Sequence, residues 1–303
     1  LLVLAGPGTG KTTTVVEAVA ARMVESTNEP RGQQATSGTP VVGQPPVLVL
    51  TFGRAAADEL RERIATRIGT GVLPTVATFH SFSYALLREF SSADEFATTP
   101  RLIDAADQDA RLREMLTNAV HEGRVPWPSE LDAAIGTQGL AEQVRELLAR
   151  AQLLGFDEVA LRRAAEAAGI GTWAALADFL GEYLDVLDAS GVMDYSELIH
   201  RAVVLAADPG IADVLRRRYR AIYVDEYQDT NEVQYEMVKL LVGESPTGLK
   251  NICVVGDTDQ NIYSWRGANI KNMLHFEKDY PDTKIIMLEQ NYRSTKTILE
   301  AAN

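Results

Sequence analysis

Short apolar runs alternate with helical stretches towards both ends of the chain. Leu1–Leu4, Val47–Thr51, Thr75–Thr78, Ala221–Val224, Asn251–Val255 and Lys284–Leu288 read as strands, several of them apolar on both faces as strands of a covered parallel sheet are. Between them apolar residues recur at helical spacing. Val15, Val19 and Met23 form one stripe; Leu60, Ile64 and Ile68 form another, which leaves Glu59, Arg61, Glu62 and Arg63 towards water. The pattern predicts an α/β fold built on a parallel sheet.

Residues 91–199 have a different character. Ala, Leu, Arg, Glu and Asp dominate, no strand stands out, and Pro126–Pro128, Gly136–Gly139 and Gly169–Gly171 separate the segments, so an inserted all-α subdomain is predicted. Glu29–Pro46, rich in Pro, Gly, Gln and Thr, reads as a surface loop. No internal repeat is visible.

Composition sharpens this picture only in part. At ~100–200 residues per domain, 303 residues make about two domains, and 46% hydrophobic with 23% charged residues is globular composition. No apolar run approaches the ~18 residues of a membrane span, so a soluble protein without a membrane partner is expected. The 29 basic and 42 acidic residues give a formal charge of −13. A nucleic-acid partner would therefore need a local groove, since net charge alone argues against DNA. The single cysteine, Cys253, excludes an intrachain disulfide and a cysteine-based metal site, which fits a cytoplasmic location. The chain opens on Leu1, already inside an apolar run, and reads as cut from a longer protein. Up to residue 238 it holds 20 Arg and one Lys; from 239 it holds 2 Arg and six Lys. That shift reads either as local demand or as a join between two sources near 237–250.

Chemistry first appears at residues 5–12, Ala-Gly-Pro-Gly-Thr-Gly-Lys-Thr, placed between a strand and a helical stripe as a P-loop requires. Gly6, Gly8 and Gly10 let backbone N–H groups turn inward around phosphate oxygens, and the following helix adds its positive end. Ala5, Pro7, Thr9 and Thr13 complete the candidate ATP-binding segment. Lys11 can reach the β- and γ-phosphates, and the Thr12 hydroxyl can bind Mg²⁺. Ala5 replaces the first glycine of the strict pattern and is small enough for the turn.

A P-loop needs a carboxylate at the end of a neighbouring strand, and Ala221-Ile222-Tyr223-Val224-Asp225-Glu226 supplies one. Asp225 is the candidate Mg²⁺ partner, and Glu226 the candidate base or positioner for attacking water.

Further residues carry a family resemblance. Asp225-Glu226-Tyr227-Gln228-Asp229-Thr230-Asn231 is followed by Val-Val-Gly-Asp-Thr-Asp-Gln-Asn-Ile-Tyr-Ser-Trp-Arg-Gly-Ala at 254–268. With Thr51-Phe52 and Ala55-Ala56, Thr78-Phe79-His80-Ser81-Phe82 and Gln290-Asn291-Tyr292-Arg293-Ser294, in that order, the sequence resembles the UvrD/PcrA/Rep group of superfamily 1 DNA helicases. The resemblance implies a RecA-like P-loop NTPase lobe from 1–90 and 200–280, the inserted helical subdomain at 91–199, and the start of a second lobe at 281–303. It implies ATP and Mg²⁺ as cofactors, and single-stranded DNA and its junctions with duplex as partners, alongside repair or recombination proteins.

Residue by residue, it implies that Gln228 and Gln260 sense the γ-phosphate, that Arg293 stabilises charge on the transferring phosphate, and that Tyr292 packs on adenine. Asp229 would link the nucleotide and strand sides. Tyr263, Trp265 and Phe52 would hold bases by stacking, Arg266 would lie with them, and His80 with Thr78 and Ser81 would meet the strand backbone. Gly53-Arg54 and Ser264 depart from what is common in that group. Its later motifs, including a second γ-phosphate arginine, would follow Asn303, so the 303 residues alone are expected to bind nucleotide weakly and to be inactive as an enzyme. Other readings are a GTPase, for which a guanine-recognition Asn-Lys-x-Asp is missing, a small-molecule kinase, which would want a small-substrate lid, a motor joined to a nuclease, and a non-catalytic DNA-binding scaffold. The scaffold would be marked by damage at Lys11, Asp225 or Glu226, all of which are intact.

Overall fold

The computed structural model of the chain describes residues 1–28, 46–69, 71–91, 100–243, 251–261, 268–295 and 297–298. The loop expected at 29–46 falls outside them except for Pro46. The described chain divides into two compact units, one made of Leu1–Phe82 and Ala206–Asn303 and the other of Ser83–Leu205.

The first unit is built on a parallel sheet. It begins with β1 (Leu2–Ala5), α1 (Lys11–Asn28), β2 (Val47–Thr51), α2 (Arg54–Ile68), β3 (Thr75–Thr78) and α3 (Phe79–Phe90), the last running on into the second unit. After that unit the chain returns to the sheet, and six strands align in parallel, β2 and β3 at one side and β1 towards the other. The inner apolar runs become strands because they are covered on both faces: every residue of Val47–Thr51 and of Ala221–Val224 is buried, whereas Ile285, Ile286 and Met287 at the sheet edge are exposed. From α1, Val15, Val16, Val19 and Met23 pack into one core with Val3, Val49, Tyr223 and Val255. Leu60 and Ile64 of α2 join it at 0% and 1% exposure, with Ile68 partly buried beside them. Truncating Leu60 to Ala would cost about 2–5 kcal/mol.

Two residues of the α2 polar face, Arg61 and Arg63, do not simply face water, Arg63 reaching the Thr13 hydroxyl of α1. Arg61 turns back and donates from Nε and Nη2 to the Val76 carbonyl at 3.0 and 2.8 Å, tying α2 to the strand that follows it. A long side chain reaches past its own helical face, which stripe analysis ignores.

The second unit carries β4 (Arg101–Leu102), α4 (Ala105–His121), α5 (Gln138–Leu153), α6 (Glu158–Ala168), α7 (Gly171–Ala189), β5 (Val192–Met193) and most of α8 (Tyr195–Ala206). Leu112, Leu116, Leu148, Phe179, Leu180 and Tyr183 form the heart of its separate core. Side-chain caps start the helices: Asp104, Thr137 and Asp157 accept from the backbone N–H of Asp107, Leu140 and Ala160. Gly169, in the left-handed conformation at φ 68°, ends α6. The expectation of no strand is corrected by β4 and β5, which pair in parallel. Two residues each are too few to leave a periodic signal. A buried polar cluster also lay hidden: Asp194 accepts from Tyr183 Oη at 2.9 Å and from the backbone N–H groups of Ser196 and Glu197 at 2.8 Å, which caps α8.

The chain re-enters the sheet through α9 (Pro209–Arg218), β6 (Ala221–Val224), α10 (Glu232–Val242), β7 (Ile252–Gly256), α11 (Lys271–Leu274), α12 (Phe276–Asp279) and β8 (Ile285–Leu288). The strand order is β3-β2-β6-β7-β1-β8. β6 and β7, which flank the window where arginine gives way to lysine, are neighbours in one sheet. β8 pairs with β1 from Leu2↔Ile285 to Ala5↔Leu288, which puts it in the first sheet and not in the second lobe where the sequence reading began one. Cys253 is a free, buried thiol, pushed up to about 11 by burial. Among the described residues no helix is long and apolar enough to cross a membrane.

Candidate functional site

Because the six strands are parallel, their C-terminal ends share one edge, and the candidate residues follow directly from those ends. β1 leads into the glycine loop, β2 into Phe52, β3 into His80, β6 into Asp225 and Glu226, β7 into Asp257, and β8 into Gln290–Ser294.

The glycine loop has the conformation its sequence demands. Gly8 and Gly10 take φ of 74° and 95°, which a β-carbon would strain. Thr9 donates from Oγ1 to the Gly6 carbonyl at 2.8 Å, and Thr14 from Oγ1 to Gly10 at 3.1 Å, leaving the loop closed on itself. α1 starts at Lys11 with no acidic residue in its first turn, so its positive end is uncompensated and suits an anion. Ala5 is the last residue of β1, 3% exposed in the core, rather than part of the loop surface. Thr12 is partly buried, while the Thr13 hydroxyl accepts from Arg63 Nη2 at 2.7 Å.

Lys11 meets the ends of β6 and β7. Its Nζ lies 3.3 Å from Glu226 Oε2 and donates to Gln260 Oε1 at 3.4 Å. Glu226 has φ 52° and ψ 44°, which makes it the sole non-glycine with positive φ among the described residues. Such a conformation costs about 1–3 kcal/mol and tends to persist where function over-determines it. It turns the chain from β6 straight into the short turn Tyr227–Asp229 and aims the carboxylate at Lys11.

Asp225, one position earlier, is 5% exposed, and its Oδ1 has no hydrogen-bond partner. Burial, reinforced by the neighbouring Glu226 charge, pushes its carboxyl up to about 6. The same causes push the half-buried Asp229 up to about 6. A buried carboxylate oxygen without a donor is a position a cation can satisfy. Among the described residues no three His, Cys, Asp or Glu side chains gather as a protein-only metal cage. The donor set of Thr12 hydroxyl and Asp225 carboxylate instead fits Mg²⁺, which takes few protein oxygens and completes its shell with phosphate and water.

The two glutamines differ. Gln228 is 1% exposed and committed at both ends, donating from Nε2 to Glu226 Oε2 at 2.8 Å and accepting from the Asp257 N–H at 3.0 Å. Gln260 reaches Lys11 and donates to Asp257 Oδ2 at 2.6 Å. Asn261 Nδ2 donates to the Gln228 carbonyl at 2.7 Å. Asp257 and Asn261 thus bind the β6 and β7 ends together, and sequence reasoning gave neither a role. Their signal was present, since both stand in the motif around Gln260.

From β8, the Tyr292 N–H donates to the Gly8 carbonyl at 2.8 Å, while its ring is 73% exposed. Arg293 stands against the same glycine: a β-carbon on Gly8 would lie 2.6 Å from the Arg293 Cβ.

The candidate strand-binding residues are less gathered. Tyr263, Trp265 and Arg266 lie outside the described residues. Phe52 is partly exposed, with its ring 5.6 Å from that of buried Phe79. Burial, then the Arg54 charge, pushes the His80 imidazole below its ordinary value. Thr78 and Ser81 spend their side chains on each other: Thr78 N–H donates to Ser81 Oγ at 2.9 Å and Ser81 N–H to Thr78 Oγ1 at 3.1 Å, fixing the β3 to α3 turn.

Comparison with known proteins gives the same direction. A sequence profile described as the UvrD/REP helicase N-terminal domain matches residues 1–281. The chain is 38% identical over 311 residues to the ATP-dependent DNA helicase UvrD1 of Mycobacterium tuberculosis and 36% over 312 to that of Mycobacterium leprae. It is 34% identical over 305 residues to the ATP-dependent DNA helicase PcrA of Staphylococcus aureus. Each alignment takes in 100% of this chain and 37% of the relative, so the chain spans about 37% of the length of the curated relatives it matches.

Proposed function

The chain belongs to the UvrD/REP helicase family, and from that premise we propose that it is the ATP-binding part of a cytoplasmic motor that couples ATP hydrolysis to 3′–5′ movement along single-stranded DNA, separating duplexes in repair or recombination. One observation carries the reading most. Lys11, Glu226 and Gln260, from three separate strand ends, meet within 3.3–3.4 Å beside the buried, unpartnered oxygen of Asp225.

In this reading the N–H groups of Gly8–Thr12 bind phosphate oxygens. Lys11 exchanges Glu226 for phosphate, and the freed Glu226 carboxylate, still held by Gln228, orients a water and takes its proton. Thr12 and Asp225 hold Mg²⁺, which when bound neutralises charge on the phosphates. Gln260 loses Lys11 in the same exchange, and its tie to Asp257 passes that change to the segment after β7, which carries Tyr263, Trp265 and Arg266. Those residues with Phe52 and His80 take the strand, by stacking and backbone contacts that work on any base sequence. Net charge of −13 is compatible with this because stacking does not depend on it.

The test is DNA-stimulated ATP hydrolysis and unwinding of duplexes with a 3′ or a 5′ single-stranded tail by the full-length protein. Hydrolysis stimulated by single strands, with unwinding from the 3′ tail, is expected. ATP turnover indifferent to DNA would overturn the motor reading, and unwinding from the 5′ tail would overturn the polarity.

A further inference from the structure

Asn291 holds together two segments that the motifs treat as separate. Its Nδ2 donates to the Pro7 carbonyl at 2.6 Å, inside the glycine loop. Its Oδ1 accepts from the backbone N–H groups of Arg293 at 2.9 Å and Ser294 at 2.8 Å, which closes the turn that carries Arg293. The Tyr292 N–H adds a bond to the Gly8 carbonyl, and the approach is so close that a β-carbon on Gly8 would stand 2.9 Å from Asn291 Oδ1. One carboxamide therefore shapes the turn with its oxygen and anchors it with its nitrogen. An aspartate could shape the turn but could not donate to Pro7; an alanine could do neither.

We propose that Asn291 is a positioning residue for phosphoryl transfer: its side chain ties the Arg293 turn to the Pro7–Gly8 backbone, so that the loop that binds the phosphates also sets where the arginine stands. The proposal rests on Arg293 acting on the transferring phosphate. A guanidinium contributes to a transition state only if it is already placed, and misplacement by about 1 Å can cost about a hundredfold. Because the Tyr292 bond to Gly8 is made by the backbone, it survives any change at 291. The loss is therefore partial.

The experiment is a double-mutant cycle in the full-length protein at saturating single-stranded DNA, with Asn291→Ala, Asn291→Asp, Arg293→Ala and the Asn291→Ala/Arg293→Ala pair. Asn291→Ala is expected to lower kcat about 10–100-fold with less than a threefold change in the dissociation constant of a fluorescent ADP analogue. The double variant should fall no further than Arg293→Ala alone. Asn291→Asp, which keeps the turn, should follow Asn291→Ala in kcat, and serves as the probe of the Pro7 anchor if the alanine variant does not fold. Fold losses that multiply in the double variant, or wild-type kcat in Asn291→Asp, would overturn the positioning role while leaving Arg293 in place. Wild-type kcat in Arg293→Ala would instead overturn the reading of Arg293, and the proposal with it.

Discussion

Lys11 is paired with Glu226 at 3.3 Å, and their side chains are 11% and 34% exposed. The cation that a P-loop directs at phosphate is here neutralised by the carboxylate proposed to act on water. Each group keeps the other from standing as an uncompensated, partly buried charge. In the proposed function, a polyphosphate bound at Lys11 would also release Glu226, so that one exchange would prepare both partners.

Lys11→Ala in the full-length protein is expected to lower ATP turnover by at least about a hundredfold, the scale on which loss of one preorganised electrostatic contact is felt. Steady-state hydrolysis with saturating single-stranded DNA checks it. Turnover near the wild-type rate would remove Lys11 from the phosphate role.

Glu226→Gln separates binding from hydrolysis. The amide keeps the shape and can still accept from Gln228, but it cannot take a proton, so turnover should fall on the order of 10²–10⁴-fold. ATP affinity should hold or rise, since Lys11 no longer has a competing carboxylate. Binding of ATP measured by calorimetry checks it, and a parallel collapse of binding would make Glu226 a structural residue.

Much of this site could be read from the sequence because its parts are local. A glycine loop before a helix and a carboxylate after four apolar residues each announce themselves within ten positions, and the parallel sheet then brings them to one edge. What stayed hidden depends on pairing at a distance. The two-residue strands Arg101–Leu102 and Val192–Met193 have no periodicity to detect. Ile285–Leu288 read correctly as a strand, but no local rule says that it lies beside β1. Arg61 looked like a solvated charge until its reach to Val76 was visible. Gln228 and Gln260 looked equivalent, yet Gln228 is buried and bonded to Glu226 and the Asp257 N–H, while Gln260 is bonded to Lys11 and the Asp257 carboxylate.

Trp265→Ala is expected to weaken single-strand binding by roughly 1–3 kcal/mol, the contribution of one stacked base. Fluorescence anisotropy of a labelled oligonucleotide at matched salt measures it. A ring that stacks should also leave the salt dependence of binding unchanged, because it neutralises no phosphate. An unchanged dissociation constant would exclude stacking.

Asp194 should be a stability position with no part in turnover chemistry. Asp194→Ala removes the cap of α8 and leaves the O–H of fully buried Tyr183 without its acceptor, though Gln108 Nε2 still donates to the hydroxyl oxygen at 2.8 Å, a combined loss of about 2–4 kcal/mol. Asp194→Asn keeps an acceptor and should lose less. Hydrogen exchange of the α7 and α8 amides reads the difference, and equal protection in all three proteins would deny the cluster its structural role.

Acidification should separate stability from ligand binding at Asp225. Burial and Glu226 raise its carboxyl to about 6, above the ordinary carboxylate value of 3.8, so the folded protein binds this proton more tightly than the unfolded chain. By linkage, the Asp225 contribution to stability is greatest at low pH and is lost as pH rises from about 4 through about 6. Mg²⁺-dependent nucleotide binding should run the other way, strengthening across the same window, because the cation needs the ionised carboxylate that the proton occupies. Asp229 is also raised to about 6, so the variants must distinguish them. Asp225→Asn should flatten the pH dependence of Mg²⁺-nucleotide affinity between about pH 5 and 7 relative to the wild type, leaving the part due to the nucleotide's own terminal phosphate, while Asp229→Asn should keep the wild-type profile. A profile in Asp225→Asn as steep as that of the wild type would place the metal-side carboxylate elsewhere.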